Sequence, residues 1–436
     1  MKHVIIGNGP AGVVAAETLR RADPDAEVVL VGDEAEPPYS RMAIPYLLTG
    51  NIGEAGTHLR HDAGHYDRLA IKLVQARAEK IDAKARAVTL SDGDKLSYER
   101  LLIATGSHPL RPPIPGIDSP NVHACWTLAD ARQIAAKAKP GARVVQLGAG
   151  FIGCIILQAL AERGVKLTVV EMGDRMVPRM MTPTAGKLIC QWVEKKGVKV
   201  HLNARVEAIR SGPTKGLIDK VVDAVTGGHH DGGTMSVKLS NGQTLECDLL
   251  ISAAGVRPNI AFLEGSGIKV GDGILVDEGM QTSVAGIYAA GDVTEAVGFH
   301  SGRPQLNAIQ PNAADQARVA AANMLGGHTA MQGSLAINVL DTLGLVSSSF
   351  GEWEGAGKAE GGAGVELVDE ANCRYLSLQF KGDVLIGATS IGWTNHVGAL
   401  RGLIQGRVRL GEWKARLLAD PTQFMVAYLG AAQKAA

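Results

Sequence analysis

The sequence predicts an α/β protein, because a strand–turn–helix–strand pattern with a glycine-rich turn occurs twice in its 436 residues. The first copy begins with HVIIGNGPAGVVAAETLRR and continues into the apolar run EVVLVGDE. The second copy begins with RVVQLGAGFIGCIILQALAERG and continues into KLTVVE. Short apolar runs on both sides of such a turn are typical of buried parallel strands joined by a helix. Each copy therefore predicts a Rossmann-like βαβ unit.

Both turns have the spacing G-x-G-x-x-G. The glycines with this spacing are Gly7, Gly9 and Gly12, and Gly148, Gly150 and Gly153. The first glycine of each set allows a tight turn, the second lets a pyrophosphate approach the backbone, and the third lets helix and strand pack closely. Phosphates then lie at the helix N-terminus, where free N–H groups and the helix dipole favour negative charge. Two copies predict two dinucleotide sites far more strongly than one would.

An acidic residue closes the second strand of each unit, Asp33 in the first copy and Glu171 in the second. A carboxylate at this place accepts hydrogen bonds from the ribose of a bound dinucleotide. In the second copy it would also repel a 2′-phosphate, which favours NAD over NADP. Arg175 and Arg179 follow shortly after Glu171 and keep NADP open as an alternative.

Charge balance and cysteine spacing exclude several other classes of function. Lys and Arg number 44 and Asp and Glu number 44, so no basic surface for nucleic acid or an anionic membrane is predicted. The uncharged stretch Val144–Ala161 is long enough to cross a bilayer, but its glutamines and glycines predict a buried strand, turn and helix. The five cysteines show no C-x-x-C pair, which indicates reduced thiols in a cytoplasmic protein without an internal iron–sulfur centre.

Other parts of the chain predict antiparallel strands and a separate last domain. Apolar and polar residues alternate from about Ile81 to Gly106, which predicts a hairpin, and similar patterns run from about Val200 to Gly255. After Gly326–Gly327 there is no further nucleotide loop. Strand-like runs and an amphipathic helix near Asn395–Ile404 predict a C-terminal α+β domain.

Two groups of side chains that could bind a metal or take part in redox chemistry are better explained by their local structure. His229, His230 and Asp231 are adjacent residues of a low-complexity loop and point in different directions, so no metal site is predicted. Met176, Met180 and Met181 are more typical of core packing than of redox chemistry.

Three further motifs extend the pattern: LLIATGS at residues 101–107, ISAAGVRPN at 251–259 and QTSVAGIYAAGDV at 281–293. Together with both glycine-rich turns, they make the chain from about Met1 to Gly327 resemble the pyridine nucleotide–disulfide oxidoreductases, flavoproteins with two dinucleotide-binding domains. The likeness is greatest to the branch of ferredoxin and rubredoxin reductases, the FAD-binding part of NADH-dependent nitrite reductase, and coenzyme A disulfide reductase. The resemblance implies an NAD-binding domain inserted into an FAD-binding domain.

The resemblance also implies domain bounds and cofactor contacts. An FAD-binding domain is expected at 1–112 and 247–327, an NAD-binding domain at 113–246 and the C-terminal domain at 328–436. The residues implied for FAD are Gly7, Gly9, Pro10, Ala11, Gly12, Asp33, Arg41, Ala78, Thr105, Gly106, Asp292 and Pro311. The residues implied for NAD(H) are Gly148, Gly150, Phe151, Ile152, Gly153, Glu171 and Gly255. A helix beginning near Pro311 would point its positive end at the flavin and stabilise the reduced anion.

Two departures from the family pattern affect the chemistry. In coenzyme A disulfide reductases, the segment that reads YSRMAIPY here carries a redox cysteine at the place of Met42. Methionine forms neither a disulfide nor a sulfenate, so thiol–disulfide and sulfenate chemistry are excluded at this position. Ferredoxin reductases usually pair a lysine with a glutamate where this chain has Tyr46 and Ile155, so both charges are absent together. Tyr46 is therefore the candidate catalytic residue, as a gate or hydrogen-bond donor at the flavin.

The resemblance implies hydride exchange between NAD(H) and FAD and electron exchange with a separate molecule. We expect that molecule to be an iron–sulfur protein or subunit, because the chain carries no acceptor group of its own. The departures and the small last domain also resemble the flavoprotein subunits of phenylglyoxylate dehydrogenase and tungsten aldehyde oxidoreductase, in which electrons flow towards NAD+. Two alternatives stay open: an NADH oxidase or diaphorase acting on oxygen or quinones, and a non-metabolic NADH-sensing flavoprotein resembling apoptosis-inducing factor.

Overall fold

The computed structural model describes residues 1–212 and 234–435, which divide into two compact units. The first unit contains Met1–Ala43, Gly53–His108 and Val256–Ile337. The second unit contains Ile44–Ile52, Pro109–Gly255 and Asn338–Ala436.

Helices alternate with strands around the two glycine-rich turns, and runs of strands separate these parts of the chain. They are α1 Pro10–Ala22, α2 Ile44–Thr49, α3 His65–Arg68, α4 Leu128–Lys137, α5 Phe151–Glu162, α6 Pro183–Lys195, α7 Gln310–Met324, α8 Val397–Gln405, α9 Glu412–Ala419 and α10 Phe424–Ala435. Short 3-10 helices occupy Arg41–Ala43, Glu54–Thr57, Ala261–Leu263, Lys358–Glu360 and Pro421–Gln423. Proline stands in the first turn of α1, α6 and α7, where its missing N–H is not needed by the helix.

The strands fall into three groups along the chain. Before the second glycine-rich turn they are β1 Lys2–Ile6, β2 Glu27–Gly32, β3 Ile71–Gln75, β4 Ala78–Asp82, β5 Ala87–Leu90, β6 Lys95–Ser97, β7 Arg100–Ile103, β8 Ser107–Pro109, β9 Val122–His123 and β10 Arg143–Leu147. The next are β11 Lys166–Val170, β12 Lys199–His201, β13 Val206–Ser211, β14 Met235–Leu239, β15 Thr244–Cys247, β16 Leu249–Ser252, β17 Val256–Pro258, β18 Ile274–Leu275, β19 Ile287–Ala289, β20 Thr294–Val297 and β21 Pro304–Leu306. The last are β22 Ile337–Thr342, β23 Leu345–Gly351, β24 Gly362–Asp369, β25 Arg374–Lys381 and β26 Val384–Ile391.

A parallel sheet with strand order β19-β7-β1-β2-β3 forms the centre of the first unit. In the register, Val4 of β1 pairs with Val29 on one side and Leu101 on the other. Helices α1 and α7 pack together on one face, where buried alanines of both helices belong to one core cluster. The other face shares its core with the antiparallel sheet β4-β5-β6. The sheet is thus covered on both sides, as its continuous apolar strands require.

A second parallel sheet, β12-β11-β10-β16-β9, forms the centre of the NAD-loop part of the second unit. Val145 of β10 pairs with Thr168 of β11 and Leu250 of β16. The antiparallel sheet β13-β14-β15 shares a core cluster with one face of it. Both predicted Rossmann-like cores are therefore confirmed.

The C-terminal part of the second unit is an antiparallel sheet with order β22-β23-β26-β25-β24 and three helices. Helix α8 packs on β26 and β23, and α10 packs on α8. The predicted α+β composition and the amphipathic helix, at Val397–Gln405, are confirmed. The bounds of a separate domain stay a prediction, because this part shares one compact unit with Pro109–Gly255.

Two details differ from the sequence expectations. Leu101–Ile103 was expected within an antiparallel hairpin but belongs to β7, a parallel strand between β19 and β1. Its residues are fully buried, so the apolar run indicates a central strand rather than a half-exposed one. Leu249–Ser252 was expected in the second part of the FAD-binding domain, yet β16 pairs with β10, and the chain changes unit at Val256.

All five cysteines are buried and free of disulfides. Burial raises the pKa of Cys125, Cys154 and Cys247 to about 12 and that of Cys190 to about 11. It also raises the pKa of Cys373. These thiols are protonated and unreactive near neutral pH. Met176, Met180 and Met181 are buried as well, in agreement with their predicted role in packing.

Residues 1–212 and 234–435 contain neither a membrane-spanning helix nor a cluster of metal-binding side chains. No helix of this part is long and apolar enough to cross a membrane, and Val144–Ala161 is occupied by β10, a turn and α5. No group of three or more His, Cys, Asp or Glu in the same ranges could hold a metal ion. His229, His230 and Asp231 lie outside the described residues, so the expectation for them stays a prediction.

One histidine of the first unit is buried without a hydrogen bond to its ring among the described residues. His3 of β1 is 0% exposed, and neither of its ring nitrogens has a hydrogen-bond partner among the described residues. Burial lowers the pKa of His3, because the charged imidazolium would lose its hydration. The folded protein therefore holds His3 neutral over a range in which the unfolded chain protonates it.

We predict that His3→Leu removes part of the acid sensitivity of the fold. The unfolded histidine has a pKa of about 6.5, so wild-type stability falls as the pH drops below that value, by at most about 1.4 kcal/mol per pH unit. In thermal melts from about pH 5 to 8, the His3→Leu protein should lose less stability towards acid. His61→Gln, at an exposed histidine, is the control and should keep the wild-type slope. Parallel curves for His3→Leu and wild type would contradict the prediction.

Candidate active site

The first glycine-rich turn connects β1 to α1 through a close backbone contact. Gly7 has φ +111°, and a Cβ there would lie 2.1 Å from the carbonyl oxygen of Ala104. A Cβ on Gly12 would lie 1.8 Å from the Gly7 carbonyl oxygen, so the helix sits directly on the turn. The N–H of Gly7 donates to the carbonyl of Val31 at 2.8 Å, which ties the turn to β2. Side chains are therefore excluded at Gly7 and Gly12 by the backbone itself.

The second turn repeats this arrangement between β10 and α5. Gly148 has φ +96°, and a Cβ there would lie 2.4 Å from the carbonyl oxygen of Ala253. A Cβ on Gly153 would lie 2.6 Å from the Gly148 carbonyl oxygen. The N–H of Gly148 donates to the carbonyl of Val170 at 2.8 Å, the same bond that Gly7 makes. Two distant segments thus build one local structure twice.

The middle glycines leave open space at uncapped helix ends. A Cβ on Gly9 or on Gly150 would meet no described atom within 4 Å. No side chain of the described residues caps α1 or α5, whereas Thr127 and Thr182 cap α4 and α6 in the usual way. The first N–H groups of α1 and α5 therefore lack the carboxylate or hydroxyl that a helix normally receives. This cradle fits the pyrophosphate of a dinucleotide at each turn.

The turn Gly291–Asp292 lies between two helix N-termini of the first unit. A Cβ on Gly291 would meet the Cβ atoms of Ala11 in α1 and Ala313 in α7, at 3.2 and 3.6 Å. Helix α7 begins at Gln310 with Pro311 in its first turn and has no side-chain cap among the described residues. The structure thus brings the predicted residues Ala11, Asp292 and Pro311 together. Burial raises the pKa of the Asp292 carboxyl, against the opposing effects of the Ser107 hydroxyl and the Arg41 guanidinium.

Gln316 holds this turn, although the sequence analysis did not identify it. Its Oε1 accepts hydrogen bonds from the Gly291 N–H at 2.7 Å and the Thr294 hydroxyl at 3.0 Å. Its Nε2 donates to the Ser334 hydroxyl at 3.3 Å. Gln316 is only 2% exposed, and its amide is satisfied by these three bonds.

Asn259 holds the predicted flavin-side residues Thr105 and Gly106. Its Nδ2 donates to the Thr105 carbonyl at 2.8 Å, and its backbone N–H donates to the Gly106 carbonyl at 2.9 Å. The Thr105 hydroxyl returns a bond to the Asn259 carbonyl at 3.0 Å. Asn259 ends the motif ISAAGVRPN, but its role as a clamp follows only from the fold.

The remaining predicted FAD residues lie at the end of β2. Asp33 is exposed and follows Gly32, where a Cβ would strike the Asn8 side chain at 2.3 Å. Arg41 donates to Glu34 Oε1 at 2.7 Å and to the Tyr39 hydroxyl at 3.0 Å. Ala78 is buried at the start of β4. These residues share the first unit with both helix N-termini, and their contacts with FAD stay a prediction.

Glu171 holds the second turn in place through hydrogen bonds to its backbone. Its carboxylate accepts the N–H of Ala149 at 2.7 Å and the N–H of Gly173 at 2.7 Å. The Arg175 guanidinium is occupied by Asp174 at 2.8 Å and by the Met181 and Pro178 carbonyls at 3.0 and 3.4 Å. Arg175 is therefore committed to its own segment, while Arg179 is exposed. The Glu171 carboxylate would repel a 2′-phosphate and so favours NAD over NADP.

Phe151, Ile152 and Gly255 complete the predicted NAD(H) set. Phe151 and Ile152 are the half-buried first residues of α5, next to the open space at Gly150. Gly255 has φ +108° and accepts the Leu110 N–H at 2.8 Å. It follows Ala253 and Ala254, whose backbone borders Gly148. The predicted NAD(H) residues thus gather in the second unit.

Tyr46 and Met42 are both exposed, at 58% and 49%. Tyr46 belongs to α2, which packs on α4 and α5, and Ile155 is half-buried on α5. The Arg163 guanidinium binds the carbonyls of Leu48, Ala135 and Ala138 and so joins α2 to α4. This packing explains why Ile44–Ile52 belongs to the second unit. The catalytic role of Tyr46 stays a prediction.

Residues 1–317 match the sequence profile of the family described as pyridine nucleotide-disulphide oxidoreductase. The chain belongs to this family. It is similar to the NADH-dependent phenylglyoxylate dehydrogenase subunit epsilon of Aromatoleum evansii, with 32% identity over 96% of this chain and 95% of the relative. An NADH oxidase of Methanocaldococcus jannaschii is 33% identical over 75% of this chain and 70% of its own length. The anthranilate 1,2-dioxygenase system ferredoxin–NAD(+) reductase component of Burkholderia cepacia is 34% identical over 75% and 76%.

Family membership and geometry agree on the cofactors. The chain is an NAD(H)-dependent flavoprotein oxidoreductase, and its cofactors are FAD and NAD(H). The first turn, with α7 and the Gly291–Asp292 turn, would hold FAD. The second turn, with Glu171, would hold NAD(H).

We predict that Gly9→Ala and Gly150→Ala each weaken the binding of a different cofactor of this flavoprotein. Their φ angles of −75° and −72° suit any residue, and the added Cβ meets open space, so the fold should tolerate both changes. The Cβ would instead occupy the path of the pyrophosphate. Gly9→Ala should weaken FAD retention about tenfold or more, and Gly150→Ala should keep FAD but raise the KM for NADH by a similar factor. Flavin absorbance and NADH titrations test this. Loss of FAD in Gly150→Ala, or an unchanged KM, would contradict the assignment.

We predict that Glu171→Gln lowers the preference of the flavoprotein for NADH over NADPH. The amide removes the negative charge that repels a 2′-phosphate, and only its carbonyl can accept the N–H groups of Ala149 and Gly173. The ratio of kcat/KM for NADH to that for NADPH should fall about tenfold. The kcat/KM for NADH itself should fall by a smaller factor. Glu162→Gln, at an exposed glutamate near the end of α5, is the matched control. An unchanged ratio in Glu171→Gln would contradict the specificity argument.

Proposed function

We propose that this chain exchanges electrons between NAD(H) and a separate iron–sulfur protein or subunit within the cytoplasm. The observation that carries the proposal is the lack of an accessible thiol: Met42 occupies the redox cysteine's place, and all five cysteines are buried. Electrons that reach this protein must therefore leave it for another molecule. The five free thiols are also typical of a reducing compartment, which supports the cytoplasm.

The protein's own contribution is to hold two cofactors. When bound, NAD(H) and FAD supply hydride transfer and the exchange of single electrons. The uncapped N–H groups of α1 and α5 would bind the two pyrophosphates, and Glu171 would orient the NAD(H) ribose. Gln316 and Asn259 hold the Gly291–Asp292 turn and the Thr105–Gly106 turn in place. The positive end of α7 would favour negative charge beside it.

Relatives support an iron–sulfur partner. The ferredoxin–NAD(+) reductase component acts on a ferredoxin by its name, and it is similar over three quarters of this chain. The phenylglyoxylate dehydrogenase subunit is similar over nearly the whole of both chains, including the C-terminal domain. A subunit of this kind would work inside a larger complex. The direction of flow in that complex would be towards NAD+.

Direct reduction of oxygen is the second candidate, because the NADH oxidase relative is as similar in sequence as the others. In this case the electrons would pass from NADH to oxygen in the isolated chain. An exposed position 42 without a thiol gives no group that would assist this reaction. The iron–sulfur partner is therefore preferred.

Anaerobic electron exchange with a low-potential ferredoxin tests the proposal. Two reduced iron–sulfur carriers and one proton convert one NAD+ to NADH, which absorbance records directly. We predict NADH formation that depends on both the flavoprotein and the reduced ferredoxin, and reduction of oxidised ferredoxin by NADH. Co-purification of an iron–sulfur protein with the tagged chain from its native cells is the second expected result.

Oxygen uptake is measured with the same preparation. Uptake from NADH should be at least about tenfold slower than ferredoxin turnover. Faster uptake than ferredoxin turnover would establish the oxidase and overturn the proposal. Gly150→Ala is the control, since it should slow electron exchange in both directions while keeping FAD.

A further inference from the structure

A buried segment after Glu171 supports the NAD(H) turn from behind. We name residues 175–182 the strut. The N–H of Val177 donates to the carbonyl of Ala149 at 2.8 Å, while Glu171 accepts the N–H of the same alanine at 2.7 Å. Ala149 stands between Gly148 and Gly150, so both polar groups of this residue in the turn are fixed.

Val177 holds a backbone conformation that a β-branched residue rarely adopts. Its φ is +50°, and its side chain is 1% exposed. Its carbonyl accepts the N–H groups of Met180 and Met181, both at 3.1 Å. Left-handed geometry is unfavourable for a β-branched residue, so the surrounding packing imposes it. Such strain is kept where a backbone group must point in one direction, here at Ala149.

The strut is anchored on the C-terminal domain, within the same compact unit. Its last residue, Thr182, caps α6 and donates its hydroxyl to the Tyr375 hydroxyl at 2.8 Å. Tyr375 is 0% exposed and donates in turn to Glu366 Oε1 at 2.7 Å. Burial raises the pKa of Tyr375 far above its usual range, so its hydroxyl keeps the proton it donates.

Helix α6 holds both ends of this arrangement. The Trp192 indole N–H donates to the Leu343 carbonyl at 3.1 Å, which fixes α6 to the turn before β23. In the first turns of α6, a Cβ on Gly186 would lie 2.5 Å from the Met176 carbonyl oxygen. Only glycine at that position lets the strut lie against the helix.

We propose that the strut is a positioning element of the NAD(H) site and that the C-terminal domain sets it through Tyr375 and Thr182. Val177 and Thr182 are positioning residues, because they act on the cofactor through Ala149. This inference rests on the assignment of the second turn to NAD(H). It gives the C-terminal domain a role in binding the nicotinamide cofactor.

Removing the anchor should weaken NAD(H) binding in the FAD-loaded full chain. Tyr375→Phe keeps the ring and loses the hydrogen bonds to Thr182 and Glu366. We expect the Kd for NAD+ and the KM for NADH to rise about 2- to 10-fold, by more than kcat falls. Thr182→Ala should behave alike, and Thr182→Ser, which keeps the hydroxyl, should restore the wild-type values.

Thr127→Ala is the matched control for a general loss of stability. Thr127 caps α4 in the same unit through a capping box and makes no hydrogen bond to the strut in the described structure. Both alanine variants should lower the melting temperature, since a lost N-cap typically destabilises a helix. Only Thr182→Ala should raise the Kd for NAD+. Equal changes of Kd in the two variants would overturn the proposal.

Gly186→Ala tests the strut without touching a hydrogen bond. Alanine is normally the better helix former, so Gly398→Ala in α8, where the Cβ meets open space, should be neutral or stabilising. Gly186→Ala should raise the Kd for NAD+, because its Cβ pushes on Met176. The role of the strut alone would be overturned if Gly186→Ala and Thr182→Ala both keep wild-type NAD+ affinity while Gly150→Ala weakens it. Wild-type affinity in Gly150→Ala would overturn the NAD(H) site itself.

Discussion

Both cofactor sites depend on one close backbone contact, in which a glycine Cα lies beneath the carbonyl oxygen of an alanine. Gly7 meets Ala104 and Gly148 meets Ala253, at distances that leave no room for a Cβ. Each alanine directly follows an inner strand of its sheet, β7 or β16, so the sheet fixes the position of the turn. The helix that follows must then start with its N–H groups open. Phosphate binding is thus a consequence of how strand and helix pack.

Short-range patterns in the sequence predicted most of this architecture. Apolar runs, glycine spacing and the acidic ends of β2 and β11 are local features, and each one determines a local structure. Two strands were exceptions: β16 was expected in the FAD-binding domain, and β7 was expected at the end of a hairpin because of its motif LLIATGS. Strand β7 lies between β1 and β19, which come from distant parts of the chain.

The supporting residues could not be predicted, because their partners are far away in sequence. Asn259 binds Thr105 across 154 positions, and Thr182 binds Tyr375 across 193. Gln316 reads as an ordinary polar residue of a helix until the fold places Gly291 against it. The same holds for Val177, since a valine carries no sign of a left-handed backbone. The sequence analysis named candidate cofactor residues and missed the residues that hold their turns in place.

The two hydrogen bonds that the Glu171 carboxylate accepts have a consequence for any redesign of this enzyme. This carboxylate is at once the expected ribose acceptor and the acceptor for two backbone N–H groups, at Ala149 and Gly173. A single substitution that admits a phosphorylated cofactor would also release the turn that carries it. Evolution and protein engineers therefore face a coupled choice at this position. A successful change of coenzyme would have to introduce a new acceptor for those amides together with the new pocket.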